Sequence, residues 1–225
     1  MKNVLLLDTE TTGTDDHAVC IEVAVALYSV EHAAVTRSYS SLIRHSANEA
    51  EHVNRIPTGL LASAPAAPIV WTGVARFAAQ ADAIVAYGAE FDRRFVPVEA
   101  AQGRPFICAM DDLAWPRADK RMTLTALALA HDVGVASAHR AFADVDLLAR
   151  LFTRVHGMGV DLEAMLARGL RPKARYVVAD RGFDEARNAM VKANGFSWDP
   201  LMKQWSRSMA IEDAETLPFR VERAD

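Results

Sequence analysis

The 225-residue chain has little cysteine, no long apolar run, no surplus of positive charge, and neither an internal repeat nor a low-complexity segment. Its two cysteines, Cys20 and Cys108, are too few and too far apart for a disulfide framework or a four-cysteine zinc site. No hydrophobic stretch approaches the roughly 18 to 20 residues needed to span a bilayer. The opening Met-Lys-Asn-Val-Leu-Leu-Leu-Asp reaches a carboxylate too early for a signal peptide, so a cytoplasmic protein without a membrane partner is expected. Lysine and arginine number 25 against 29 acidic residues, a net charge of -4 that, averaged over the chain, argues against a nucleic-acid partner. What is present is the balance of a chain that buries a core, 51% hydrophobic and 24% charged, which excludes general disorder.

The run Val4 to Leu7 closes in the polar turn Asp8-Thr9-Glu10-Thr11-Thr12-Gly13 and predicts a buried strand over 3–10. Val19 to Tyr28 and Val35 to Ile43, rich in β-branched residues, predict two antiparallel neighbours and hence a meander. Beyond residue 58 helical spacing sets in, interrupted by short strands at 83–86 and 106–108. Helices are predicted over 59–64, 71–79, 89–101, 111–115, 123–131 and 140–156, the last with one continuous apolar stripe. This order gives an α/β domain ending near 156. Residues 157–172 read as a linker with a connecting helix. A small α+β unit over 173–225 follows, with a strand at 174–179, a helix at 184–192 and a hairpin formed by 196–198 and 204–207.

Alternate residues of a strand share a face, so Asp8 and Glu10 set two carboxylates side by side at a strand end. Two solvated acids at a turn is one reading. A divalent cation, whose hard charge favours oxygen ligands, is the other. Asp92 falls just inside a helix that follows a short strand, with Phe91 and Phe95 placed to pack inward. His139 and Asp144 stand five apart, about 140° on a helix. They can reach one site only if His139 lies on the preceding loop and Asp144 on the first turns.

Leu-Leu-Leu-Asp-Thr-Glu-Thr-Thr-Gly, Ala-Glu-Phe-Asp-Arg-Arg-Phe and His-Arg-Ala-Phe-Ala-Asp-Val-Asp resemble, in order and separation, the three motifs of the DEDD superfamily of 3'-5' exonucleases, in its histidine-containing, DnaQ-like branch. The resemblance covers residues 3 to about 156. It implies an RNase H-like mixed sheet of about five strands flanked by helices. It also implies two divalent cations, Mg²⁺ or Mn²⁺, held by Asp8, Glu10, Asp92 and Asp144, with His139 as general base. Two cations about 3.5 to 4 Å apart stabilise the attacking and leaving oxygens of an in-line displacement, and histidine changes charge near neutral pH. Backbone groups at Thr11 and Thr12 are implied to meet the terminal sugar. The family's usual His-Asn before the second-motif aspartate is replaced by Tyr87-Gly88, which puts substrate positioning in doubt. Tyr87 closes a core strand or touches the substrate strand.

Charge is uneven along the chain. Residues 1–155 carry 14 lysines and arginines against 18 acids, whereas 171–210 carry 8 against 4. There Arg175, Tyr176, Arg181, Phe183, Phe196, Trp198, Lys203, Trp205 and Arg207 interleave cations with aromatics. Such a surface can neutralise phosphates and stack on bases, or the aromatics can be the core of a tiny fold. Gly195-Phe196-Ser197-Trp198-Asp199-Pro200 with Lys203-Gln204-Trp205 is weakly similar to an accessory module found beside primase-type and plasmid-transfer proteins. The expected function is release of nucleoside 5'-monophosphates from single-stranded or frayed 3' ends, DNA in preference to RNA, with a polymerase or a replication or repair protein as candidate partner. RNA trimming is the alternative within the class, and a non-catalytic docking module the alternative outside it. A phosphatase with an aspartyl nucleophile fits poorly, since it would want Asp at position 10.

Overall fold

In the computed structural model, which describes residues 1–118, 121–136, 139–179 and 184–224, the apolar run after Lys2 forms β1 (Asn3–Thr11). The meander continues with β2 (Cys20–Ser29) and β3 (Ala34–Leu42). Helices α1 (Glu51–Asn54), α2 (Thr58–Ala62) and α3 (Ala67–Ala78) lead to β4 (Ala83–Ala86). Then come α4 (Ala89–Asp92), α5 (Val98–Ala101), β5 (Phe106–Cys108), α6 (Leu124–Ala130), α7 (Ala141–Gly157) and α8 (Leu162–Gly169). The first sheet has five strands in the order β3-β2-β1-β4-β5, antiparallel across β1, β2 and β3 and parallel from β1 through β4 to β5. This mixed sheet flanked by helices is the RNase H-like arrangement.

β1 reads as a continuous apolar run because both its faces are covered. Val4 and Leu6 pack with Val145, Leu148 and Phe152 of α7, whereas Leu5 and Leu7 pack with Val70, Val74 and Ala78 of α3. Tyr28 of β2 packs its ring 5.7 Å from that of Phe152 and places its hydroxyl 3.1 Å from Thr153 Oγ1, which locks α7 along the meander.

Two helical expectations are corrected. Residues 89–101 form two short helices, because Pro97 cannot continue the hydrogen-bond ladder and steers Val96 out of helical geometry. Residues 111–115 form turns: Asp112 accepts the Cys108 backbone N–H at 2.7 Å and Trp115 Nε1 donates to Ala109 O at 2.7 Å, folding the segment back on β5.

Beyond α8 lie β6 (Lys173–Val178), α9 (Glu185–Ala193), β7 (Ser197–Asp199), β8 (Gln204–Ala210), α10 (Ile211–Ala214) and β9 (Val221–Arg223). They build a four-stranded sheet, β7-β8-β6-β9, around Tyr176, Val191, Phe196 and Met209. The β7–β8 hairpin is as expected, whereas α10 and β9 were not read from sequence. Arg181 and Phe183 lie outside the described residues. Arg207 of β8 donates to Asp111 O at 3.0 Å and Lys173 of β6 pairs with Asp112, so the second sheet is fastened to the turn after β5. Among the described residues no helix is long and apolar enough to cross a membrane.

Candidate active site

Asp8 and Glu10 continue the alternation of Val4 and Leu6, and so face α7. The β1–β2 register shifts between Glu10 and Thr11, an irregularity that commonly re-aims a strand end beside a functional site. From the other side α7 brings Asp144 on its first turn. One carboxylate oxygen from each of Asp8, Glu10 and Asp144 lies within 4.8 Å of the others. Three hard oxygen donors at that spacing suit a divalent cation. Asp92 is outside this set. It is 4% exposed, and one of its oxygens accepts both the backbone N–H and the hydroxyl of Thr9, at 3.0 and 2.8 Å. Its carboxylate is thus pinned to β1 between Asp8 and Glu10.

His139 lies on the loop before α7, as the 140° argument requires. Its φ of 61° is left-handed, a conformation uncommon for side-chain-bearing residues and enriched for histidine. Its backbone N–H donates to Asp144 Oδ2 at 3.1 Å, while the residue itself is exposed.

What holds the start of α7 was not foreseen. Glu22 stands directly opposite Glu10 on β2 and is 3% exposed. Arg140 Nε and Nη2 donate to its two oxygens at 3.0 and 2.7 Å, and the Ala141 backbone N–H donates to it at 3.1 Å. Glu22 therefore caps from outside a helix whose own N-cap residue, Arg140, supplies no capping side chain. Sequence held one signal for it, a single acid inside an otherwise apolar buried strand.

The cluster is electrostatically loaded. Burial holds Asp8 well above the usual carboxylate range, and Asp92, Asp144 and Glu10 push it further. Glu10 is raised to about 7 by burial, with Asp144 and Glu22 adding and Arg140 opposing. Asp92 is raised to about 6 by burial despite the hydrogen bonds from Thr9. Asp144 is raised by burial and held back by the His139 N–H. Such loading favours binding of protons or of a cation.

The exonuclease family profile matches residues 5–152. The chain belongs to the exonuclease family. A second profile, a domain of unknown function (DUF8626), matches residues 184–224. No curated protein matches the chain. Solved structures share the fold. Exonuclease X in complex with 5'-overhanging duplex DNA has a TM-score of 0.57 at 24% identity, over 74% of this chain and 99% of that one. The nuclease domain of 3'hExo, described as a DEDDh family member bound to rAMP, has 0.56 at 13%, over 71% and 94%. Escherichia coli exonuclease I with a dT13 oligonucleotide has 0.58 at 15%, over 86% of this chain and 51% of that one.

Other expected contacts of this exonuclease are differently placed. Thr11 and Thr12 are buried at the end of β1. The Thr11 hydroxyl donates to Gly13 O, the Thr12 hydroxyl accepts from Val19 N, and the Thr12 N–H donates to Val19 O. These groups shape the turn. Tyr87 packs on the α7 side of the sheet and donates its hydroxyl to Met122 O at 2.7 Å, and its ring also lines a cleft. In the second sheet Trp198 and Lys203 are exposed, and Arg175 donates to Ser206 Oγ. Arg207 points inward, its guanidinium spent on Asn194 O and Asp111 O.

Proposed function

We propose that this exonuclease is a metal-dependent 3'-5' enzyme of the histidine-containing, DnaQ-like branch, acting on single-stranded or frayed DNA and releasing nucleoside 5'-monophosphates. The observation that carries the reading is the convergence of Asp8, Glu10 and Asp144 from two ends of a family-matching domain. Residues 1–156 form the catalytic unit, 157–172 the connection and 173–225 an accessory unit.

Asp8, Glu10 and Asp144, with the free oxygen of Asp92, are the residues that would hold two divalent cations, Mg²⁺ or Mn²⁺. When bound, these ions supply charge stabilisation at the attacking and leaving oxygens of the phosphodiester. The protein's part is to keep four carboxylates in register: Thr9 orients Asp92, and Glu22 with Arg140 orients the first turn of α7. The His139 imidazole takes the proton of the attacking water as the bond from phosphorus to the 3' oxygen breaks, and the leaving oxygen is protonated from solvent. The exposed position of His139 lets it approach when a strand is present. The reading of DNA before RNA is supported by the relative at 24% identity, which is described in complex with 5'-overhanging duplex DNA.

The test is digestion of 5'-labelled single-stranded DNA and RNA of equal sequence in Mg²⁺, Mn²⁺ or EDTA. A ladder shortening from the 3' end, absent in EDTA and reduced at least about a hundred-fold in Asp144→Ala, is expected. Intact DNA and RNA in both metals, or a ladder that Asp144→Ala leaves unchanged, overturns the reading. A ladder on RNA alone replaces DNA by RNA.

A further inference from the structure

A cleft of about 950 Å³ lies between the end of β4 and the accessory sheet, walled by Tyr87 and Met110 on one side and by Lys192, Trp198 and Trp205 on the other, with Arg121 at its lip. We propose that it is a track for the single-stranded bases that precede the 3'-terminal nucleotide; the proposal rests on the exonuclease reading and adds to it a second place where the strand is held.

Three observations point to that occupant. The first is position. β1 and β4 run parallel with Leu6 opposite Val85, so β4 ends, just before Tyr87, at the same edge of the sheet as the Asp8 end of β1. Val4, Leu6 and Val85 share one core cluster, so Tyr87 faces the same side of the sheet as the carboxylates. Neighbouring strands are about 4.8 Å apart. The cleft therefore opens at the end of the strand next to β1, one strand over from the candidate metal ligands, which do not themselves line it.

The second is surface chemistry. Trp198 and Trp205 are directly opposed across the β7–β8 hairpin, with ring centroids 5.6 Å apart and planes at 60°. Trp198 leaves 49% of its surface exposed, a large apolar area that the accessory core does not use. Flat aromatic faces accept any base, which suits an enzyme that must pass successive nucleotides regardless of sequence.

The third is charge. The protein is net negative, yet among the described residues the cleft is lined by two cations and no acid. Arg121 is tied to Asp111 at 3.1 Å, whereas Lys192 makes no ion pair among the described residues and is free to meet a phosphate. Tyr87 stiffens the near wall through its bond to Met122 O. This gives the tyrosine that replaces the family's histidine a use: it trades a polar group at the strand end for a wall of the track.

The experiment uses the full chain, with Trp198→Ala and Trp198→Phe compared with the unaltered protein. Binding of a long oligothymidylate is measured in EDTA through tryptophan fluorescence, and cleavage in Mg²⁺ is measured on that strand and on a dinucleotide too short to reach the cleft. Fluorescence quenching by the long strand is expected. Trp198→Ala should weaken its binding roughly five- to a hundred-fold and raise its KM, with kcat on the dinucleotide unchanged and with Trp198→Phe restoring most of the affinity. Long-strand affinity and KM that are the same in Trp198→Ala as in the unaltered protein overturn the track, and cleavage that persists shows that the exonuclease reading survives. Loss of cleavage on both substrates in the unaltered protein is failure of that reading instead. Self-association that buries Trp198 and excludes the oligonucleotide also overturns the track.

Discussion

Without a cation, the four carboxylates of the site work against the fold. Glu10 measures how much. Its carboxyl is raised from 4.5 to about 7, so its proton is held more tightly in the folded chain than in the unfolded one. The associated stability is fully present below about pH 4.5 and is lost as pH rises through about 7. At about 1.4 kcal/mol per pH unit the whole interval is worth roughly 3 kcal/mol. Glu10 is partly open to solvent, so screening leaves on the order of 1–2 kcal/mol. Glu10→Gln removes the charge while keeping the shape. In EDTA at pH 8 this variant should melt above the unaltered protein, by about 2–8 °C for a chain of this size, and at pH 5 most of that difference should be gone. Saturating Mg²⁺ should reverse the order, because the cation binds the carboxylate and stabilises only the protein that has it. Thermal melts by circular dichroism in EDTA and in Mg²⁺ at the two pH values provide the check. A melting difference that is the same at pH 5 and pH 8 would refute the reasoning.

Arg140→Gln leaves Glu22 with an unpaired buried charge and removes a cation that opposes the rise of Glu10. The concentration of Mn²⁺ giving half-maximal cleavage should climb about ten-fold or more, whereas Arg150→Gln, which loses an exposed pair with Asp146, should leave it unchanged; equal metal requirements in both variants would contradict the positioning role. At Gly169 an added Cβ would sit 2.7 Å from Ile107 Cγ2 and 3.1 Å from Leu113 Cδ2. Gly169→Ala should therefore cost about 1–3 kcal/mol in urea unfolding, and an unchanged midpoint would show that α8 is not seated against β5 as described.

The meander, the short strands β4 and β5 and the long helix were legible because each has a strong local period or sharp punctuation. β4 and β5 sit at their expected residues since Gly88 and Pro105 bound them. The carboxylates were legible because motif spacing survives folding. What sequence withheld was pairing at a distance. Nothing local says that Glu22 caps a helix beginning at Ala141, since the bond joins residues 119 positions apart. Arg207 reads as one more cation in a basic stretch until the fold turns it onto Asp111 O. β9 is three residues long, and only the edge of β6 defines it.

The division of the carboxylates between β1 and α7 has a consequence for biosynthesis. Asp8 and Glu10 precede Asp144, and the Arg140 that ties its helix to Glu22, by most of the exonuclease-matching segment. The carboxylate cluster is therefore incomplete until α7 has been made and has packed against β1.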